Sequence, residues 1–164
     1  MLIGAHVSAA GGSNKAIARA EETGAECFQI FASSPRMWWA KPIADEVAQK
    51  YTEEINRAGM GPTVLHGKYL VALGAEDPEL LAKSEKALQA DVAAANKLDA
   101  LGVIFHPASH RGRGFETIIN QFANSVRTIL DNEPGDSLLM LETSAGAGDH
   151  IGSSFAELGT LIKA

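Results

Sequence analysis

Cysteine is almost absent from this chain, whose 164 residues include only Cys27, within the apolar stretch 26–31. A single cysteine cannot form an intrachain disulfide or a cysteine-rich zinc module, and such sparse usage is typical of a reducing compartment. Long apolar runs are absent too, since none approaches the roughly 20 residues of a membrane-spanning helix. The amino terminus lacks the basic region and the apolar core of a signal peptide. We therefore expect a cytoplasmic protein that has no membrane partner.

Positive charge is scarce, because 14 lysines and arginines face 20 aspartates and glutamates, for a formal net charge of -6. This balance argues against a protein that coats nucleic acid, since non-specific affinity for phosphates comes from many basic residues. A net negative charge is nevertheless compatible with a local basic face around a metal ion. A glycine-rich phosphate loop is also missing, because neither GxGxxG nor GxxxxGK[ST] fits residues 4–12. A dinucleotide-binding sheet is therefore disfavoured.

What the chain does contain is a short apolar run followed by a helical stretch, a pattern that occurs five times. The predicted strands are residues 2–7, 26–31, 62–66, 101–106 and 137–142. The first predicted helix has Ser13 or Asn14 as its cap. Three more predicted helices cover 43–58, 78–98 and 115–130. A fifth runs from Ser153 or Ser154 to the carboxyl terminus. Strands that are apolar on both faces are typical of a buried parallel sheet, which helices cover through right-handed crossovers. With 46% hydrophobic and 21% charged residues, we expect one α/β domain, residues 1–164.

Three of the apolar runs stop on a residue type that binds transition metals: His66, His106 and Glu142. Parallel strands bring their carboxyl ends together, so these side chains are expected to meet at one face of the sheet. Two imidazoles and a carboxylate are the ligand set of a catalytic zinc site with one open position. Each histidine taken alone is more often a hydrogen-bonded structural residue than a ligand. Their recurrence at the same point of successive units favours a metal.

Other aromatic and imidazole side chains surround this predicted site. His6 also ends a strand, and it either supports the ligands or hydrogen-bonds a loop carbonyl or water beneath them. Trp38 and Trp39 lie in the second loop, residues 32–42, and either anchor that loop or contact a base. His110 and His150 lie in polar loops and are expected to be solvated.

Five basic residues lie in loops that follow strands, and we predict that they share the ligand face: Arg36, Lys41, Lys68, Arg111 and Arg113. A solvated rim explains each of them separately. Together they would give an acidic protein one basic mouth around a metal, which favours an anionic substrate. Arg111 and Arg113 are, with His6, the candidates for supporting the ligands or touching substrate.

Four segments of the chain carry a family resemblance: residues 3–12 (IGAHVSAAGG), 66–74 (HGKYLVALG), 105–110 (FHPASH) and 141–146 (LETSAG). They resemble motifs of endonuclease IV, a family of zinc-dependent apurinic/apyrimidinic endonucleases, and the resemblance spans essentially the whole chain. It implies a TIM barrel whose trinuclear zinc site hydrolyses the phosphodiester 5′ to an abasic nucleotide in double-stranded DNA.

The same resemblance implies roles for individual residues. His66 and His106 would hold the first zinc ion, and Glu142 would bridge it to a second as the catalytic carboxylate. Arg36 and Tyr69 match residues of loops that enter the DNA and hold it bent, with the abasic nucleotide flipped out. Such extrusion has an unstacking cost of a few kcal/mol, which is least where a base is already missing.

The chain also departs from the family pattern. The segment 33–35 (SSP) precedes Arg36 where the family usually carries amide residues, and Gly67 and Lys68 lie where the family varies. An eight-stranded barrel typically needs about 250 residues. A chain that ends at Ala164 would lack strands six to eight and the six further ligands that they carry in the family. We therefore expect a partial barrel with a single zinc site, little or no activity alone, and self-association or complementation through exposed sheet edges.

Two other functions remain open from the sequence. A divalent-metal sugar isomerase or epimerase on a related barrel also places His and Glu at strand ends. A truncated remnant could keep the beginning of the fold without activity. The arginine-bearing second loop and Tyr69 near His66 favour bent DNA over a small sugar as the substrate.

Overall fold

The computed structural model describes residues 1–164, which form five strands alternating with five helices. The strands are β1 (Gly4–His6), β2 (Cys27–Ile30), β3 (Thr63–His66), β4 (Gly102–Phe105) and β5 (Leu138–Leu141). The helices are α1 (Asn14–Glu22), α2 (Asp45–Ala58), α3 (Pro78–Leu98), α4 (Phe115–Asn132) and α5 (Phe155–Lys163). The strands are parallel and lie in the order β1-β2-β3-β4-β5. This sequential order is that of a TIM barrel, so the predicted partial barrel of five βα units is confirmed.

The helix boundaries follow local signals in the sequence. α2 ends at Gly59, whose φ of 60° is the left-handed conformation that glycine adopts without strain. α3 begins after Asp77, whose side chain accepts a hydrogen bond from the Glu79 amide, and Pro78 occupies its first turn. α4 runs past its predicted end to Asn132. None of these helices combines the length and the apolar composition that crossing a membrane requires.

The hydrophobic core lies between the outer face of the sheet and the helices. Leu65 and Val103 of neighbouring strands are fully buried, and Phe105 stacks on Phe122 of α4 with ring centroids 6.2 Å apart. Ile17 is buried on the face predicted for α1. Each fully buried side chain of this kind contributes about 1.5–3 kcal/mol. This packing between the sheet and the helices stabilises the strands whose ends carry the predicted ligands.

The edge strands are less buried than the sequence predicts. Runs that are apolar on both faces predict buried strands, yet Leu138 of β5 is 54% exposed and both terminal residues of β1 are exposed. That prediction is wrong for β1 and β5 because they form the two ends of the sheet. The inner face of the sheet also remains open, since Val64 and Ile104 on that face are only partly buried. Each outer edge carries backbone groups that no strand pairs.

Candidate metal centre

The ends of three neighbouring strands bring the three predicted ligands together. His66 is the last residue of β3, and His106 and Glu142 come directly after β4 and β5. The Glu142 amide donates to the Phe105 carbonyl at 3.0 Å, so the ladder continues past these strands and places Glu142 beside His106. One ligand atom from each of the three residues lies within 4.8 Å of the others.

Two of the three spacings between these ligand atoms are close to those around a four-coordinate zinc ion. Glu142 Oε2 lies 3.2 Å from His66 Nε2 and 3.7 Å from His106 Nε2. Atoms that bind zinc at 2.0–2.1 Å from the corners of a tetrahedron are about 3.3 Å apart. The side chain of His106 is 49% exposed, which leaves a solvent-facing side for a fourth ligand.

The hydrogen bonds of the centre also fit a metal. His66 Nδ1 lies 2.7 Å from the Gly67 carbonyl, which can only accept, so this nitrogen donates, and in the neutral imidazole Nε2 presents a lone pair. That lone pair faces Glu142 Oε2, which is buried and has no hydrogen-bond partner. Two acceptors that face each other are unfavourable unless a metal ion, or a proton on His66 Nε2, lies between them. The donor set is the one that zinc favours.

His6 belongs to the wall of the centre. Its Nδ1 accepts a hydrogen bond from Gln29 Nε2 at 2.9 Å, and its ring centroid is 6.1 Å from that of His66. Burial lowers the pKa of His6, and the nearby His66 lowers it further, whereas Glu142 has the opposite effect. Phe31 packs between the two imidazoles, with ring centroids 4.8 and 5.1 Å from theirs. The sequence interpretation missed Gln29 and Phe31, although a glutamine inside the apolar run 26–31 was a usable signal.

The second loop, residues 32–42, and the third loop, residues 67–76, present exposed side chains. Tyr69 is 61% exposed, and its ring centroid is 6.0 Å from that of His66. Arg36 is exposed as well. The two tryptophans differ: Trp39 is exposed, whereas Trp38 is partly buried and lines a cavity.

The basic mouth is smaller than predicted, because two of its five members are engaged inside the protein. The side chain of Lys68 is 1% exposed and forms an ion pair with Asp91 of α3. Burial raises the pKa of Asp91, and Lys68 opposes that shift. Arg113 donates to the Gly74 carbonyl and to Gln121 Oε1. Lys68 lines the cavity beside the ligands, but it and Arg113 each have an internal acceptor, so neither is a free cation of the mouth.

A cavity of about 510 Å³ opens beside the ligands. Its wall includes His66, His106, Trp38, Tyr69, Arg111 and His150. Arg111, which lines this cavity, has a φ of 48°, a left-handed conformation that is uncommon for a residue other than glycine. His150 is exposed, as expected, but His110 accepts a hydrogen bond from the Gly114 amide at 3.3 Å and is not simply solvated. The cavity has the size and the mixed lining of a small-molecule or single-nucleotide site.

Comparisons with known proteins agree with this architecture. Residues 17–164 match the model of the xylose isomerase-like TIM barrel family. The chain is 39% identical over 163 residues to a probable endonuclease 4 from Halorhodospira halophila, and 37% identical over 161 residues to one from Chloroflexus aurantiacus. Both alignments cover 98% of this chain but only 55% and 56% of the relatives. The chain thus spans little more than half the length of these curated relatives.

Solved structures extend the comparison. The crystal structure of endonuclease IV from Thermus thermophilus superposes with a TM-score of 0.89 at 32% identity, covering 99% of this chain and 59% of that one. A D-tagatose 3-epimerase-like protein superposes with a TM-score of 0.73 at 13% identity, covering 99% and 60%, which shows a shared fold alone. The chain therefore belongs to the family of xylose isomerase-like TIM barrels, within which its sequence and its fold mark it as a relative of endonuclease IV.

Proposed function

We propose that this protein takes part in metal-dependent hydrolysis of a DNA phosphodiester bond at abasic sites, as in base excision repair. The observation that carries the proposal is the convergence of His66, His106 and Glu142 around a buried carboxylate oxygen that has no hydrogen-bond partner. Relatives named endonuclease 4 support a nuclease rather than another metal-dependent activity. The reducing, cytoplasmic location suggested by the single cysteine, Cys27, belongs to this proposal.

Zinc is the proposed metal, held by His66, His106 and Glu142. The chemistry that zinc supplies at such sites is activation of water near neutral pH and stabilisation of negative charge on phosphate oxygens. The Gly67 carbonyl keeps His66 in the tautomer that ligation needs. Glu142 has a second role as the catalytic carboxylate. His6 supports the centre as a neutral ring against His66, consistent with its lowered pKa.

Double-stranded DNA that contains an abasic site is the proposed substrate. Tyr69 and Arg36 project from neighbouring loops and would enter the duplex, with the ring of Tyr69 stacking on a base. Arg111, at the rim of the cavity beside the ligands, would contact a phosphate. Arg113 has no such role in the proposal because its guanidinium is engaged with Gly74 and Gln121.

We further propose that residues 1–164 form one partial-barrel domain that self-associates or is complemented by another fragment. The support is the open inner face of the sheet together with the unpaired outer edges of β1 and β5. Closing a barrel removes such edges. Because the chain spans 55–59% of the length of its endonuclease relatives, its activity alone is expected to be far below that of a complete barrel.

The two alternatives to a nuclease are a sugar isomerase or epimerase and a non-catalytic remnant. Epimerase structures at 13–16% identity share the fold and give no support for sugar chemistry. The exposed Tyr69 and Arg36 favour DNA over a small sugar. A non-catalytic remnant is an outcome of the experiment that follows.

The test combines zinc analysis with cleavage of an abasic duplex and of the same duplex without the lesion. Wild type should bind about one zinc ion and cut only the abasic duplex, slowly and in an EDTA-sensitive manner. His66→Ala should lose both properties, whereas Glu46→Gln, on the exposed first turn of α2, should retain both. Absence of zinc in wild type and His66→Ala alike would refute the site. Zinc binding without cleavage would identify a non-catalytic remnant, and efficient cleavage would show that this chain needs no further strands.

A further inference from the structure

The peptide between Gly67 and Lys68 is held on both sides. Its carbonyl oxygen lies 2.7 Å from His66 Nδ1, and its amide donates to Asp91 Oδ2 at 3.3 Å. A peptide unit is planar, and its C=O and N–H point in opposite directions. The acceptor that captures the amide on one side therefore determines where the carbonyl points on the other.

Asp91 is well suited to act as that acceptor. Its side chain, on α3, is 2% exposed, and its second oxygen forms an ion pair with Lys68 Nζ, which also donates to the Ala87 carbonyl at 3.4 Å. Both carboxylate oxygens thus bind residue 68, one through the backbone and one through the side chain. A buried ion pair adds little net stability compared with packed apolar residues, so its presence invites a functional explanation.

The preceding residue cannot compensate by moving. The Gly67 amide donates to the Ile104 carbonyl at 2.7 Å, which ties this segment to β4. A Cβ atom at Gly67 would lie 2.9 Å from Phe105 Cβ, closer than real Cβ atoms come, so the backbone here lies directly against the neighbouring strand. The 67–68 peptide is therefore fixed by β4 at its start and by Asp91 at its amide.

We propose that Asp91, with Lys68 as its counter-ion, is a positioning residue for the metal centre. It orients the 67–68 peptide, whose carbonyl accepts from His66 Nδ1 and thereby keeps Nε2 directed at Glu142. Groups that bind the second nitrogen of a ligating histidine commonly fix its tautomer and ring orientation. Here the Asp91 carboxylate acts on His66 indirectly, through the 67–68 peptide. The inference deepens the metal site proposed above and rests on it for its consequence in metal binding.

Two double variants separate positioning from stability. Lys68→Met/Asp91→Leu removes both buried charges together with the acceptor for the residue-68 amide. Lys68→Met/Asp91→Asn also removes both charges, but its side-chain carbonyl can still accept from that amide. Neither variant leaves a buried charge unpaired, so both should fold, as shown by circular dichroism and thermal melting. If leucine is too large, Asp91→Val replaces it in the same pair.

The first measurement needs no metal. Long-range ¹H–¹⁵N spectra at pH 8 show which nitrogen of His66 carries the proton, with His66→Gln used to assign the signals. Wild type and the asparagine pair should show a protonated Nδ1, whereas the leucine pair should show a mixture or a protonated Nε2. The second measurement is Co²⁺ titration followed by its absorption spectrum. The leucine pair should bind about 10- to 100-fold more weakly than wild type, with an altered spectrum, and the asparagine pair should stay close to wild type.

The inference is overturned if the leucine pair keeps the wild-type tautomer and affinity. It is also overturned if the asparagine pair is impaired as much as the leucine pair, because the ion pair and not the peptide acceptor would then be responsible. Wild type that binds no Co²⁺ would refute the proposed metal site, while the tautomer measurement would still decide whether Asp91 orients His66.

Discussion

Replacing Glu142 by glutamine should stabilise the metal-free protein while removing its response to metal. In the structure, the buried Glu142 Oε2 has no hydrogen-bond partner and faces His66 Nε2 at 3.2 Å. Glutamine has nearly the same shape as glutamate, and its amide group can donate to that nitrogen. The change therefore turns an acceptor–acceptor contact into a hydrogen bond.

The magnitude follows from the burial of the group. An unsatisfied buried polar group costs about 1–3 kcal/mol. The low end applies here, because the Glu142 side chain as a whole is 41% exposed and water screens part of the cost. We expect the free energy of unfolding of Glu142→Gln to rise by about 1 kcal/mol, or roughly 2–4 °C in Tm for a chain of this size. Zinc at 100 times its Kd should stabilise wild type by about 2.7 kcal/mol and the variant by much less.

The assay is urea unfolding at pH 8, above the ordinary pKa of histidine, with EDTA or with a defined free zinc concentration. Glu46→Gln makes the same charge change on an exposed helical turn and should alter neither curve. A Glu142→Gln protein that is less stable than wild type in EDTA would refute the account of the buried oxygen. Equal zinc stabilisation of wild type and variant would refute the role of Glu142 as a ligand.

Three further predictions follow from other parts of the molecule. Burial raises the pKa of Tyr51 from 10.0 to about 12, so its neutral phenol, bonded to Thr63, contributes stability below pH 10 that is lost as pH rises towards 12. A shift of this size corresponds to about 3 kcal/mol of unfolding free energy, and Tyr51→Phe should not show this loss at alkaline pH. The same pH dependence of unfolding free energy in wild type and Tyr51→Phe above pH 10 would contradict the argument. Tyr69→Ala should weaken binding to an abasic duplex about tenfold at unchanged zinc content, since stacking on a base is worth about 1–3 kcal/mol; unchanged DNA affinity would exclude insertion of this ring. The open sheet edges should produce a dimer or larger species in sedimentation, and a stable compact monomer would count against it.

The sequence pattern was informative wherever the controlling interactions are local. The apolar runs located all five strands, and the turn and cap signals at Gly59 and Asp77 located the limits of α2 and α3. The positions of His66, His106 and Glu142 at strand ends were sufficient to predict their convergence, because parallel strands bring their carboxyl ends together. The structure shows that convergence, and the ligand role of the residues remains a prediction for metal analysis.

The sequence was a poor guide wherever the partner of a side chain is distant along the chain. Lys68 read as one more cation of the basic mouth, but its partner, Asp91, belongs to a helix 23 residues further on. Arg113 was counted as a free cation for the same reason, since its acceptor is the Gly74 carbonyl, 39 residues earlier. Composition indicates that a charge exists but not which group neutralises it.

The sequence by itself thus determined the alternation of strands and helices, the end of the sheet at which chemistry is placed, and the three residue types available there. Only the tertiary structure decided which cations are free and how His66 is oriented. The physical reason is range: propensities, caps and hydrophobic runs act within a few residues. Ion pairs and the orientation of a buried imidazole depend on groups that meet only after the sheet and its helices have packed.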